Sequence, residues 1–136
     1  MCSGDYARAH GITPLARVRS VAVSGCAPEI MGMGPVGAAR KAMKRAGITA
    51  AELDVVELNE AFSSQALACM RELGIDEAKV NLDGGAISLG HPLGATGARI
   101  TGKAASLLQR QGGRFALATQ CIGGGQGIAT VLEAIG

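Results

Sequence analysis

The sequence predicts an α/β fold, a mixed sheet with helices on both faces built in the order β-α-β-α-β-α-β-β. Three observations predict it. Segments that alternate every two residues take turns with segments of helical periodicity. Glycines cluster where those segments end, which marks tight backbone turns and not a disordered chain. The last two strand-like segments are separated only by Gly123-Gly124-Gly125, so the final strand returns antiparallel. A chain of 136 residues supports one domain around one core, with 1–16 as a leading segment and no linker or internal repeat.

The elements follow in order. Val18 to Gly25 (VRSVAVSG) has the β-branched alternation of a strand. A loop with Pro28 and Gly32 follows, and Pro35 opens a helix, because its missing N–H would have no intrahelical partner in a first turn. Val36, Ala39, Met43 and Ala46 share one face of that helix, and Gly47 ends it. Asp54 to Leu58 (DVVEL) is a short strand, followed by a helix around Ser64 to Leu73 that Gly74 stops. Lys79 to Leu82 is expected as a third strand. The run from Gly84 to Gly97 is a glycine-rich loop carrying His91-Pro92. A longer helix spans Thr96 to Arg110 and stops at Gly112-Gly113. Arg114 to Cys121 and Gln126 to Leu132 are the closing strands.

Composition narrows the function classes. Hydrophobic residues make up 48% of the chain, yet only Tyr6, Phe62 and Phe115 are aromatic, so Ala, Val, Leu and Ile must fill the interior. Net charge is +2. The densest basic stretch, Arg40, Lys41, Lys44 and Arg45, reads as a solvated helix face. Without aromatic residues to stack on bases or a broad basic patch, no nucleic-acid partner is expected. Cys2, Cys26, Cys69 and Cys121 form no C-x-x-C pair, so neither zinc nor any other metal is expected. Met1 to Gly11 lacks an apolar stretch and no segment reaches membrane-spanning length, so the expectation is a reduced, cytoplasmic protein with no disulfide and no membrane partner.

Three segments put reactive side chains beside glycine-rich turns at the ends of expected strands, where α/β sheets form their sites. They are Asn59-Glu60-Ala61-Phe62, Gly84 to Gly94 with His91, and Cys121 to Gly127. Each has a plain structural reading. Asn59 fits a turn or helix cap, His91 a structural loop residue, Cys121 a small buried hydrophobe, and the glycines a hairpin turn. Together they are a possible base and acid set in backbone whose N–H groups can approach a substrate, which suits acyl transfer or proton transfer. Gly32-x-Gly34-x-x-Gly37, with Glu57 twenty residues on, matches a dinucleotide fingerprint. Six residues, Cys26 to Met31, separate it from the strand, and Pro35 removes a donor a pyrophosphate would need, so NAD binding is not expected. No Gly-Lys-Ser/Thr follows any glycine run, so there is no P-loop.

At these segments the sequence resembles the thiolase family. The matching residues are Asn59-Glu60-Ala61-Phe62, Gly90-His91-Pro92-x-Gly94, Cys121-x-Gly123 and Met31-Gly32-x-Gly34-Pro35, in the family's order, within a match covering about residues 17 to 134. The fourth stretch accounts for the dinucleotide-like pattern. The resemblance implies a β-α-β-α-β-α-β-β half of a two-half fold, with the first half and its inserted loop domain not in this chain. It implies that His91 activates a nucleophilic cysteine borne by the first half and later holds a thioester oxygen. It further implies that Asn59 positions a water in that oxyanion site, that Cys121 moves a proton to or from the substrate α-carbon, and that the Gly123 N–H is one donor of a second oxyanion hole. Met31, Ala61 and Phe62 would line the pantetheine or acyl passage, with coenzyme A as a substrate and no bound cofactor. Gly90 to Gly97 and Gln126 are more similar to degradative 3-ketoacyl-CoA thiolases than to acetoacetyl-CoA enzymes. Cys2, Cys26 and Cys69 sit in no nucleophile motif, and His10 and Ser88 have no evident role. Two expectations follow: a catalytic half that needs an N-terminal half, or a non-catalytic domain that associates, with such a half or with itself, through the face the half would cover.

Overall fold

In the computed structural model, which describes residues 1–135, Ala16–Gly25 (β1), Val55–Leu58 (β2), Phe115–Ile122 (β3) and Gln126–Ala134 (β4) form one sheet in the spatial order β1-β4-β3-β2. The predicted domain therefore runs one residue beyond the described part. β4 lies antiparallel to both β1 and β3, and β2 lies parallel to β3. The helices are Gly4–Ala9 (α1), Gly34–Ala46 (α2), Ser63–Leu73 (α3), Ala86–Leu89 (α4) and Thr96–Gln111 (α5). The fold class is the predicted one. Helix α1, capped by the Ser3 hydroxyl on the Tyr6 N–H, was not expected.

The pleat sorts the core into two layers. Val56, Leu58, Phe115, Leu117, Ala129 and Val131 face α2 and α3. Val55, Ala116, Ala118 and Leu132 face α5, whose Ile100, Ala104, Leu107 and Leu108 make one apolar stripe. Burying a leucine such as Leu107 contributes about 2 kcal/mol relative to leaving it in water. Ala38, Ala39 and Ala42 have no exposure at all, so α2 seats its small side chains directly on the sheet. Helix α5 covers β2 and β3 more than β4, and the part of its face belonging to β1 is open. There Val18, Val21 and Val23 are 42%, 44% and 58% exposed.

The predicted third strand is corrected. Residues Glu77–Lys79 form a 3-10 turn, and pairing is confined to a single parallel bridge between Val80 and Val56. Asn81 is the reason. It is the one non-glycine described residue with positive φ (49°), which turns the chain out of the sheet. Its carboxamide then accepts from the Leu58 N–H (3.0 Å) and donates to the Leu58 carbonyl (2.9 Å). One side chain supplies the two bonds a continuing strand would have made.

The basic stretch on α2 is more than a solvated face. Lys41 Nζ and Arg45 Nη1 donate to the carbonyls of Val23 (3.3 Å) and Val21 (2.6 Å) along the outer edge of β1, and Arg40 bonds the Glu72 carbonyl (2.7 Å). Two cations thus cover the open hydrogen-bonding edge of the sheet, where another strand could otherwise add.

Candidate active site

β1 and β3 are each antiparallel to β4, so β1, β2 and β3 all end at the same side of the sheet. Segments 26–33, 59–62 and 121–125 leave from that side. Residues 84–95 are tied to it by Glu60, whose carboxylate accepts from Asn81 Nδ2 (2.8 Å) and from the Ile87 N–H (3.0 Å). Gly85 packs so close to this carboxylate that a Cβ there would overlap it. Glu60, Asn81 and Gly85 therefore clamp the loop that carries His91. Sequence reasoning had Glu60 inside a noted segment without a role of its own, and passed over Asn81.

The ring of His91 is suspended between two elements. Its Nδ1 lies 2.7 Å from Thr96 Oγ1 at the start of α5, and its Nε2 lies 3.3 Å from Asn59 Nδ2 at the end of β2. Donor counting assigns the tautomer. Thr96 Oγ1 also lies 3.1 Å from the Pro92 carbonyl, and with its proton given there it accepts from His91 Nδ1–H. Nε2 is then the unprotonated nitrogen, and the Asn59 amide donates to it. A base whose lone pair is aimed by a second partner on the opposite nitrogen is the arrangement general-base work requires. The Asn59 side chain is buried, and its Oδ1 has no protein partner among the described residues, which leaves an acceptor at the site. Thr96 was part of a noted motif, but its hold on the ring was not anticipated.

Cys121 is half-buried at the end of β3, opposite Gly127 of β4. Burial pushes its thiol up from the ordinary value, a backbone hydrogen bond opposes this, and the Cys26 thiol nearby adds to the rise. A thiol so placed keeps its proton near neutral pH and can act as a donor. Cys121 and His91 share the sheet end through the Asn59 N–H, which donates to the Thr119 carbonyl (3.0 Å), but no hydrogen bond among the described residues joins them directly. Gly123 is exposed in the hairpin turn, which Gly124 and Gly125 make possible with φ of 84° and 88°. Met31 is half-buried in the 3-10 segment Pro28–Met33, Ala61 is half-buried, and Phe62 is exposed. Ile87, Leu89 and Leu93, on the segment that carries His91, are exposed apolar side chains like Phe62.

The remaining candidates resolve as structural contacts. Cys69 is buried and donates to the Gly32 carbonyl (3.3 Å), anchoring the segment that carries Met31. Cys26 approaches the Ile30 carbonyl at 3.7 Å. Ser88 donates to the Gly85 carbonyl (3.1 Å), and His10 stacks on Tyr6. All four cysteines are free thiols. Among the described residues, no group of His, Cys, Asp or Glu is arranged to hold a metal, and no helix is long and apolar enough to cross a membrane.

Glu57 was noted only in the dinucleotide pattern, and the structure removes it from that role. It lies on the α5 side of β2, whereas the glycines of the pattern open α2 on the opposite side. It is wholly buried, and burial pushes its carboxyl up to about 7 against the pull of Arg99 and Lys103. From about 4.5 to about 7 the unfolded chain has lost a proton that the folded chain still holds. Stability therefore falls as pH rises through this window and is level above it. The loss is on the order of 3 kcal/mol at about 1.4 kcal/mol per pH unit. Glu57→Gln is expected to flatten this slope, read as the urea midpoint at a series of pH values. An equal slope in the variant would assign it to another group.

Comparison with known proteins adds to this geometry. The family model described as thiolase, C-terminal domain, matches residues 12–134. The chain is 57% identical over 136 residues to a protein of Enterobacter sp. (strain 638) described as 3-ketoacyl-CoA thiolase, covering 98% of this chain and 35% of that protein. It is 55% identical to one of Aeromonas salmonicida with the same description and the same coverage. Among solved structures, human mitochondrial 3-ketoacyl-CoA thiolase superposes with a TM-score of 0.96 at 50% identity, over 99% of this chain and 34% of that one. The same human protein solved in complex with CoA matches equally well in TM-score and identity. The chain spans about a third of the length of these relatives.

Proposed function

The chain belongs to the thiolase family, as its C-terminal domain, and from that premise we propose that it is the half of a 3-ketoacyl-CoA thiolase that supplies the base and the proton donor. The observation that carries this reading is the placement of His91, with Nδ1 2.7 Å from Thr96 Oγ1 and Nε2 3.3 Å from Asn59 Nδ2, which suits a ring with its proton on Nδ1 and its lone pair on Nε2. In this reading His91 Nε2 takes the proton of a cysteine thiol supplied by an N-terminal half. The thiolate adds to the 3-keto carbon, and the bond between the α-carbon and that carbon breaks. Its electrons form the enolate of acetyl-CoA, and the shortened acyl group stays on the cysteine as a thioester. The Cys121 S–H delivers a proton to the α-carbon, and the protonated His91, with a water that Asn59 positions, holds the thioester oxygen. The Gly123 N–H faces the acyl-enzyme oxygen in the following transfer to coenzyme A. Each such donor is worth about 3–4 kcal/mol.

Exposed Phe62, with half-buried Ala61 and Met31, supports a passage for pantetheine or an acyl chain. The CoA complex of the human thiolase supports the ligand class, and the shared description of the relatives supports 3-ketoacyl-CoA as substrate. A second reading, a non-catalytic domain acting only in association, is favoured by the open valines of β1, which any partner half or second copy would cover.

Thiolysis of acetoacetyl-CoA and of a longer 3-ketoacyl-CoA, with this chain alone and with a matching N-terminal half, separates these readings. Activity on mixing is expected. Activity without the half would point to an unassigned nucleophile, Cys26 first. A folded, associated but inactive pair would favour the second reading.

A further inference from the structure

The site leaves one buried acid without a task. Glu57 lies two residues before Asn59 in the chain, and Arg99 lies three residues after Thr96, within the first turns of α5. Asn59 and Thr96 are the residues that hold the two nitrogens of His91. Neither oxygen of Glu57 has a hydrogen bond, and Arg99 Nε is likewise buried without a partner. The charged groups facing Glu57 are Arg99 and Lys103 from α5, Asp83 from the loop before α4, and Glu60 from the segment after β2. Asp83 is engaged by Lys103 and Arg110, and Glu60 by Asn81 and Ile87. Arg99 is the remaining cation.

We propose that Glu57 is a positioning residue whose carboxylate, drawn to the Arg99 guanidinium, fixes the first turns of α5 against the end of β2. It thereby sets the gap between Thr96 and Asn59 that holds the His91 ring in one tautomer. Stability alone does not explain an acid at this position. Ionising it costs the fold, and an apolar side chain of similar volume would fill the same space without that cost. The inference rests on the thiolase reading for its catalytic consequence, but the tautomer is a property of this chain and is measured without turnover.

The chain has two histidines, His10 and His91, so imidazole nitrogen-15 shifts report the ring directly, with His10 as an internal control. At about pH 9, where an imidazole is neutral, wild-type His91 is expected to favour Nδ1–H by about tenfold or more, the worth of one well-placed hydrogen bond. Glu57→Gln is expected to bring the two tautomers within about threefold, while His10 is unchanged. A folded Glu57→Gln variant with the wild-type ratio overturns the proposal. Should that variant fail to fold, Arg99→Gln, whose side chain is only partly buried, is read in the same way. An unchanged ratio there overturns the proposal, whereas a lost ratio that Arg99→Lys recovers supports it. In the assembled enzyme the same variants should lower kcat and leave KM unchanged. A wild-type assembly without activity would count against the thiolase reading and leave the tautomer result standing.

Discussion

His91→Ala is expected to lower thiolysis by about 10²–10⁴-fold when the chain is combined with a nucleophile-bearing half, the range a positioned general base supplies. The fold should survive. The ring is exposed, and its hydrogen bonds to Asn59 and Thr96 join it to residues that β2 and α5 already hold. Loss of the ring leaves the Thr96 hydroxyl bonded to the Pro92 carbonyl and opens the Asn59 amide to water in the space the exposed ring vacates. Stability should therefore change by less than about 1 kcal/mol. The measurement is a steady-state rate beside a urea melt. A rate within threefold of wild type would remove His91 from the base role. A drop accompanied by a large fall in the urea midpoint would make the loss structural.

Gly127→Ala is expected to have the largest effect on the fold itself. At Gly127 of β4 the backbone of Gly34, at the start of α2, crosses directly over the strand. A Cβ built on either glycine would overlap backbone of the other's segment: Gly34 and Pro35 in one case, Gln126 and Gly127 in the other. Backbone cannot rotate aside as a side-chain tip can. The methyl must push α2 off the sheet, and α2 carries Val36, Ala38, Ala39, Ala42 and Met43 of the larger core layer. Overpacking of a core costs about 1–3 kcal/mol, more where nothing can yield. A loss of 3 kcal/mol or more, or no folded protein, is expected from the urea midpoint. By contrast Gly102, with open space around it on exposed α5 surface, should accept alanine with little change. If Gly127→Ala melted like wild type, the crossing would have to be looser than described.

Much of the fold was legible because it is local. Helical periodicity, Pro35 at a first turn and glycine at the stops placed α2, α3 and α5 within a residue or so of their observed ends. What failed was non-local. Nothing in Lys79 to Leu82 announces that Asn81 will turn left-handed and bond Leu58 with its side chain, because the choice depends on where β2 ends. Lys41 and Arg45 could be given their place on the β1 edge only by knowing that β1 is an edge strand, which depends on pairing across some 110 residues. The site divides in the same way. Asn59, His91 and Cys121 stood out as reactive types in glycine-rich or strand-end positions. Thr96 and Glu60 were in view but are ordinary residue types, and only the folded chain brings them to the ring and its loop. Glu57 entered only through the dinucleotide-like spacing, and its burial beneath α5 shows only in the folded chain.

The antiparallel pairing of β1 with β4 bears on how the chain is made. Arg17 and Glu133 are partners in the ladder, so the first strand waits for the last before it can be hydrogen-bonded. At a synthesis rate of about 5–20 residues per second, β1 leaves the ribosome several seconds before its neighbour exists. During that interval Val18, Val21 and Val23 belong to an unpaired ribbon, and α2 with Lys41 and Arg45 is the next helix made that lies against it. A nascent chain stalled before Gln126 would have no partner strand for β1, making the arrival of β4 the step that commits this sheet to form.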